Sequence, residues 1–295
     1  MKLGFVGLGT MGVPMVRRLS AAGHSVGVWA RRPEARASVA GLPGVEVFDA
    51  PASLAGKCEI TLSIVTRDAD VESVLLGSQG LIHGWRPGAL HIDMSTIAPD
   101  SARRFAEVLA TQQVRFLDAP VSGGPVGAAA GSLSIMMGGA ADDIEQARPV
   151  LEILGQRLVH VGPNGAGQVA KACNQMVMVA SIQAVAEAFS LASRAGLDLS
   201  RVRSALQGGS GGSRVLDVFG QRMIDKAYAN GVESRLHHKD FAIVLAAAQG
   251  MSLGLPLTGL VWERLNALQA LGGAYDDTAS LFRLFERVEI GDGET

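Results

Sequence analysis

The sequence predicts an α/β domain built on a mostly parallel sheet, followed by an all-α domain joined to it through a long helix. Three observations carry this. Up to Gly162, short apolar runs alternate with helical patterns, as the strands of a parallel sheet alternate with the helices that cover it. Beyond Gly162 no convincing strand pattern recurs. Between the halves, Ala166 to Ala195 is one long stretch of mostly small and apolar residues that reads as a single helix. The division falls near Pro163-Asn164-Gly165, giving residues 1–162 and 163–295.

In chain order, runs of strand length lie at Leu3 to Val6, Ser25 to Trp29, Ile60 to Ile64, Ala89 to Asp93, Arg115 to Asp118, Ser134 to Met137 and Leu158 to Val161. They give about seven strands. Helical patterns at Pro14 to Ala22, Ala69 to Leu76, Pro99 to Ala110 and Asp142 to Leu154 lie between them, the last with Asp142-Asp143 as its expected cap. The Ala166 to Ala195 helix is apolar all round, so it is expected to be buried on several sides, against both domains or a second subunit. A homodimer or homotetramer follows from that expectation. Further helices are expected at Ser200 to Gln207, Arg214 to Ala227, His238 to Gln249, Pro256 to Leu271 and Thr278 to Arg287, and the polar tail Gly291 to Thr295 is expected to fray.

Phe241 to Trp262 runs 22 residues without a charge, a membrane-spanning length. Gln249, Gly250, Ser252, Gly254 and Pro256 interrupt it, so it reads as two buried helices meeting at a GMSLGLP break. The balance of 26 Lys+Arg against 28 Asp+Glu, with no basic stripe, offers no electrostatic footprint for nucleic acid. Gly is abundant, 37 of 295 residues, but unperiodic, which excludes a collagen-like chain and assigns the glycines to turns and close backbone approach. Two cysteines, Cys58 and Cys173, have no metal-ligand spacing and form no disulfide framework. With an initial apolar run too short for a signal peptide, they point to a cytoplasmic protein that uses neither metal nor membrane.

Gly7-Leu8-Gly9-Thr10-Met11-Gly12 follows the first strand and opens a helix. Gly7 permits the tight turn, Gly9 lets backbone approach a pyrophosphate, and Gly12 lets the helix pack on the strand. A diphosphate there meets the unpaired N–H groups of a helix N-terminus. This is the dinucleotide-binding, Rossmann-type pattern. At the end of the second strand stands Val28-Trp29-Ala30-Arg31-Arg32, without the carboxylate that would bind the ribose hydroxyls of NAD. Guanidinium pairs well with phosphate, so Arg31, assisted by Arg32, is expected to hold a 2′-phosphate, making NADP(H) the preferred cofactor and NAD(H) the second. Paired arginines on a solvated loop are the plain alternative.

Asp118-Ala119-Pro120-Val121-Ser122-Gly123-Gly124 ends a strand in a double-glycine turn, presenting backbone N–H groups beside a hydroxyl, an arrangement suited to a carboxylate. Gly165-Ala166-Gly167-Gln168-Val169-Ala170-Lys171-Ala172-Cys173-Asn174-Gln175 begins the long helix and sets Lys171 and Asn174 on one face. Desolvation of an amine in so apolar a stretch moves its proton affinity toward a pKa of roughly 7 to 8, the range useful for proton transfer. A snorkelling lysine at a helix start is the plain reading of the same residue.

Four blocks, FVGLGTMGVPM, DAPVSGG, GAGQVAKACNQ and HHKD, together resemble the β-hydroxyacid dehydrogenase family over essentially the whole chain. That family includes 3-hydroxyisobutyrate dehydrogenases, tartronate semialdehyde (2-hydroxy-3-oxopropionate) reductases and glyoxylate/succinic semialdehyde reductases. The resemblance implies that Lys171 is the catalytic lysine, Asn174 its partner, and Ser122, Gly123 and Gly124 the substrate carboxylate site. It also implies that Thr96 stands at the cofactor–substrate junction, that Lys239 lies near the nicotinamide, and that Asp240 is a paired acid, read here as structural. The GGSGGSRVLD, LHHKD and LPLT segments and Asn174-Gln175 are most similar to the tartronate semialdehyde branch. Val16 and Arg18 depart from the family pattern, as does Val65-Thr66, which stands where many members line the cofactor with Leu-Pro.

The implied chemistry is hydride transfer between nicotinamide and a small carboxylate-bearing aldehyde or hydroxyacid, with Lys171 giving the proton to the developing alkoxide or taking it in reverse. Oxidation of 3-hydroxyisobutyrate, reduction of glyoxylate or succinic semialdehyde, and a cofactor-binding regulatory protein without turnover are the alternatives. His160, His237 and His238 have no carboxylate placed to orient them and read as surface or junction residues.

Overall fold

The computed structural model describes residues 1–229 and 231–286, so the expected tail Gly291 to Thr295 and the helix end at Arg287 lie outside the described residues. The strands are β1 Lys2–Val6, β2 Ser25–Trp29, β3 Val45–Val47, β4 Ile60–Ser63, β5 Leu90–Asp93, β6 Arg115–Asp118, β7 Val121–Ser122, β8 Leu133–Gly138 and β9 Gly155–Gly162. Among them run α1 Gly12–Ala21, α2 Pro33–Ala37, α3 Pro51–Ala55, α4 Asp68–Leu76, α5 Pro99–Ala110, α6 Gly124–Ala130 and α7 Ala141–Leu154. Beyond β9 the elements among the described residues are helices: α8 Ala166–Arg194, α9 Leu199–Gln207, α10 Gln221–Ile224, α11 Ser234–Gly250, α12 Pro256–Ala270 and α13 Arg283–Glu286. The α/β-then-all-α expectation holds.

The strands form one sheet in the order β3-β2-β1-β4-β5-β6-β8-β7, with β9 beside β8. Pairing is parallel except where β8 meets β6 and β7. The order reverses between β1 and β4, and at such a switch point the loops leaving the carboxyl ends of the strands part to form a crevice. The loops after β1, β4 and β5 are those that line it. Period-two alternation sends Phe5, Val28, Leu62 and Ile92 into one apolar layer under α1 and α7, while Val6 and Phe116 face a second layer with Leu75, Phe105 and Leu109.

The chain divides into two compact units, Met1–Lys171 and the residues from Ala172 on. The second has its own core of Val179, Ile182, Phe189, Leu216, Phe241, Val261 and Leu265. Its helices α11 and α12 meet at the break expected within GMSLGLP, with Pro256 opening α12.

Several expectations are corrected. Among the described residues nine strands are present rather than about seven, because β3 has three residues and β7 two, too few for periodicity to register. The single helix expected from Arg214 to Ala227 contains a π-helical turn at Leu216–Gly220, whose carbonyls at Leu216 and Asp217 accept from the Arg203 guanidinium. Thr278 to Phe282 is 3₁₀-helical before α13. Asp142-Asp143 does not cap α7, which is preceded by Ala140 without a side-chain cap; Asp143 instead accepts from Arg115 at 2.9 Å. In α8, burial follows one stripe, Gln168, Lys171, Gln175, Val179, Ile182, Ala186 and Phe189, whereas Val177 and Leu191 are exposed. All-round apolarity therefore does not become all-round burial within one chain. By length and composition α8 is the helix among the described residues that suits a membrane span. Its buried stripe carries Gln168, Lys171, Gln175 and Gln183, a pattern costly in lipid and ordinary for a helix packed in protein.

Candidate active site

The glycine turn leaves β1 with Gly7 at φ 100°, and a Cβ there would lie 2.1 Å from the Ile64 carbonyl oxygen. A Cβ on Gly12 would lie 1.8 Å from the Gly7 oxygen. Gly9 is different: nothing stands within 4 Å of its would-be Cβ. Two glycines therefore close the turn and the third leaves open backbone at the start of α1, which is the division of labour a pyrophosphate requires. Leu8 is buried beneath the turn, while Thr10 is exposed and Met11 half-buried at its rim. The residues present thus fit a dinucleotide.

Arg31 extends into solvent, with a side chain 84% exposed and Nη1 3.5 Å from Asp70 Oδ1. Arg32 is also exposed and immediately precedes α2. Val65 and Thr66 lie just beyond β4, and Thr96 just beyond β5. Ser122 ends β7, and Gly123 and Gly124, at φ 134° and 63°, turn the chain into α6.

Two motifs distant in sequence are joined by Asp118. Its fully buried carboxylate accepts from Gly165 N–H at 2.7 Å and from Gln168 N–H at 3.0 Å, so the DAPVSGG strand end holds the start of α8. Gly167 packs against it; a Cβ there would lie 2.4 Å from the Met136 oxygen and 2.8 Å from Asp118. Burial pushes the Asp118 carboxyl up to about 6, against the pull of the backbone donors. Gln168 makes the next link: its amide donates to the Ser95 carbonyl at 2.9 Å, and its oxygen accepts from Ile97 N–H at 3.2 Å. The loop carrying Thr96 is thereby fixed to the turn of α8 that precedes Lys171. Lys171 itself is 7% exposed.

Further along α8, in the second unit, the Asn174 amide donates to Gln175 Oε1 at 2.9 Å, and Gln175 donates to Asp240 Oδ2 at 2.6 Å. Asp240 Oδ1 lies 3.1 Å from Lys239 Nζ. Asn174 and Lys239 are thus the ends of one string made of two hydrogen bonds and an ion pair, with Gln175 and Asp240 between them. His237, expected at the surface or at a junction, is 2% exposed and bonds Thr278 Oγ1 at 2.6 Å. Its neighbour His238 stacks on Trp262 and bonds Asn266. Helical spacing places His237 and Asp240 on the same buried face, a signal the motif-based reading passed over.

Comparison with known proteins decides the family. The family model for the NAD binding domain of 6-phosphogluconate dehydrogenase matches residues 2–162, and that for the NAD-binding region of NADP-dependent 3-hydroxyisobutyrate dehydrogenase matches residues 165–285. The 2-hydroxy-3-oxopropionate reductase of Escherichia coli (strain K12) is 40% identical over 97% of this chain and 97% of its own. The chain belongs to the 3-hydroxyisobutyrate dehydrogenase-like family of NAD(P)-dependent β-hydroxyacid oxidoreductases. A 3-hydroxyisobutyrate dehydrogenase of Pseudomonas aeruginosa is 39% identical over 92% of this chain and 93% of its own. The solved Mycobacterium tuberculosis 3-hydroxyisobutyrate dehydrogenase with L-serine superposes with a TM-score of 0.88 at 30% identity, covering 96% of this chain and 98% of that one. Within this family-wide frame, sequence reasoning did not assign Gln168, Asp118, Ser95 or Gln175. The spacing of Gln168, Lys171 and Gln175 at i, i+3 and i+7 in an apolar helix was the available signal for two of them.

Proposed function

We propose that this enzyme is an NADPH-dependent reductase of a small aldehyde-acid, tartronate semialdehyde (2-hydroxy-3-oxopropionate) or a near relative. The observation that carries the reading is the buried Lys171, an amine at 7% exposure one helical turn beyond Gln168, which is tied to the Thr96 loop. The bound nicotinamide supplies the hydride. Lys171 delivers a proton to the substrate oxygen as negative charge develops there, and receives it in the reverse direction. Asn174, whose amide is oriented by Gln175, addresses the same oxygen or the lysine. Ser122, Gly123 and Gly124 hold the carboxylate end, and Thr96 and Lys239 border the nicotinamide. Gly7 to Gly12, with Val65 and Thr66, receive the dinucleotide.

Arg31, with Arg32 beside it, binds the 2′-phosphate and gives NADP(H) its advantage, with NAD(H) accepted less well; no carboxylate occupies the end of β2 at Trp29. The free thiols Cys58 and Cys173 accord with a reducing, cytoplasmic setting. Residues 1–162 form the cofactor domain and residues 163–295 the substrate and oligomerisation domain, with a homodimer or homotetramer as the assembly. A second reading, oxidation of 3-hydroxyisobutyrate, is favoured by the nearly equal identity to the Pseudomonas aeruginosa enzyme.

A panel of aldehyde-acids and β-hydroxyacids, assayed with both nicotinamides by absorbance of the reduced cofactor, separates the two. Highest kcat/KM on tartronate semialdehyde with NADPH is expected. Highest kcat/KM on 3-hydroxyisobutyrate with NAD would replace the proposal by the second reading.

A further inference from the structure

The face of the sheet opposite α1 and α7 carries an unusual insertion of polar residues at its centre. Thr61 and Ser63 of β4 lie in register with His91 and Asp93 of β5, and all four are 0% exposed. Trp85 donates its indole N–H to Thr61 Oγ1 at 3.2 Å. Thr61 Oγ1 lies 2.9 Å from His91 Nδ1, and Ser63 Oγ lies 3.0 Å from His91 Nε2. Ser63 then donates to Asp93 Oδ1 at 2.7 Å.

The direction of this string follows from its ends. An indole N–H only donates, so Thr61 accepts from Trp85; Ser63, whose one proton goes to Asp93, must accept from His91 Nε2, which leaves Nδ1 to take the Thr61 proton. Burial drives the His91 pKa down to about 3, so the ring is neutral and carries its one proton on Nε2. That proton goes to Ser63, whose hydroxyl is thereby committed to Asp93. At the far end Ser95 reaches back to the same oxygen, through its hydroxyl at 2.7 Å and its N–H at 3.3 Å. With its proton committed there, Ser95 Oγ accepts from Val65 N–H at 2.9 Å.

Val65 lies on the loop after β4 and Ser95 on the loop after β5, both at the switch-point crevice. We propose that Asp93 is a positioning residue for the cofactor: through Ser95 it fixes the Val65-Thr66 and Ser95-Thr96 loops to each other, and the Trp85–Thr61–His91–Ser63 string holds its carboxylate in the orientation that does so. The proposal rests on the reading that these loops border the nicotinamide. An outer tie, Ala98 N–H to Asp68 Oδ1 at 2.9 Å, joins the same loops further from the strand ends and does not involve Val65. Asp93 and Ser95 are buried at 0% and 1%, so they act through the loops they hold.

The test compares Ser95→Ala, Ser95→Thr and the near-isosteric Asp93→Asn with the wild-type enzyme, measuring NADPH KM and kcat together with amide hydrogen exchange at Val65. One lost hydrogen bond predicts that Ser95→Ala raises the NADPH KM by about tenfold, with kcat within about threefold, and speeds Val65 exchange by about tenfold. Ser95→Thr, which keeps the hydroxyl, restores both to within about threefold. Asp93→Asn falls between, since its amide keeps the one oxygen that accepts these bonds but loses the carboxylate charge that strengthens them. Unchanged KM and unchanged Val65 exchange in Ser95→Ala overturns the proposal, as does fast Val65 exchange with wild-type KM, or a loss confined to kcat. A wild-type chain that binds neither nicotinamide removes the cofactor reading and this proposal together, and is recognised before any variant is made.

Discussion

Replacing Asp118 by Asn tests the joint between the DAPVSGG strand end and α8. In the wild type the buried carboxyl is raised from 3.8 to about 6, so the folded state holds its proton more tightly than the unfolded chain does. The stability this contributes is complete below the unfolded value and is lost as pH rises through the folded one. Carrying the charge at neutral pH costs about 3 kcal/mol, of which about 2 to 3 kcal/mol develops between pH 4 and pH 7.5. Asn cannot ionise and shows none of this dependence. It offers one acceptor where Gly165 N–H and Gln168 N–H need two, and each buried polar group left unpaired costs about 1 to 3 kcal/mol. The variant is therefore expected to be less stable at pH 4, with a deficit that shrinks by about 2 to 3 kcal/mol at pH 7.5. Equilibrium urea unfolding at both pH values measures this. A deficit that stays constant, or widens as pH rises, would refute the reasoning.

Other expectations follow from single contacts. Gly9→Ala meets nothing within 4 Å, so the thermal midpoint should be preserved while the Kd for NADPH, from fluorescence titration, rises by about tenfold or more; equal affinity would show that no phosphate approaches this backbone. Arg31→Ala should lower kcat/KM with NADPH by about tenfold while leaving NADH within about twofold, and steady-state kinetics with each cofactor distinguishes this from an equal loss for both. Burial, followed by the charge of Glu46, pushes the Cys58 thiol up to about 11, whereas Cys173 is exposed. A thiol reagent at about pH 8 should therefore modify Cys173 well before Cys58; peptide mapping that finds Cys58 labelled first would contradict this.

Much of the fold is legible in the sequence because the determining interactions are local. Leu3 to Val6 and Ser25 to Trp29 are apolar runs of strand length, and the Gly7 to Gly12 spacing encodes its own turn. Pro256 within GMSLGLP likewise marks where one helix gives way to the next. What escaped depends on contacts between distant positions. Asp118 holds α8 across 47 and 50 residues of chain, and Asp143 prefers Arg115 to the helix end it stands beside. His91 looks like an isolated histidine until registry with Thr61 supplies its partner. In α8, apolar composition alone cannot distinguish the buried stripe through Val179 and Ile182 from the exposed Val177 and Leu191. Candidate site residues were visible mainly as motif members, while Gln168 and Gln175, which orient them, acquire meaning only from their hydrogen bonds.

The measurement closest to the central claim is turnover by Lys171→Ala, paired with NADPH binding by the same variant. Removing the proton donor should depress kcat by about 10² to 10⁴ while NADPH affinity stays within about threefold of the wild type. Turnover near the wild-type rate would contradict the account.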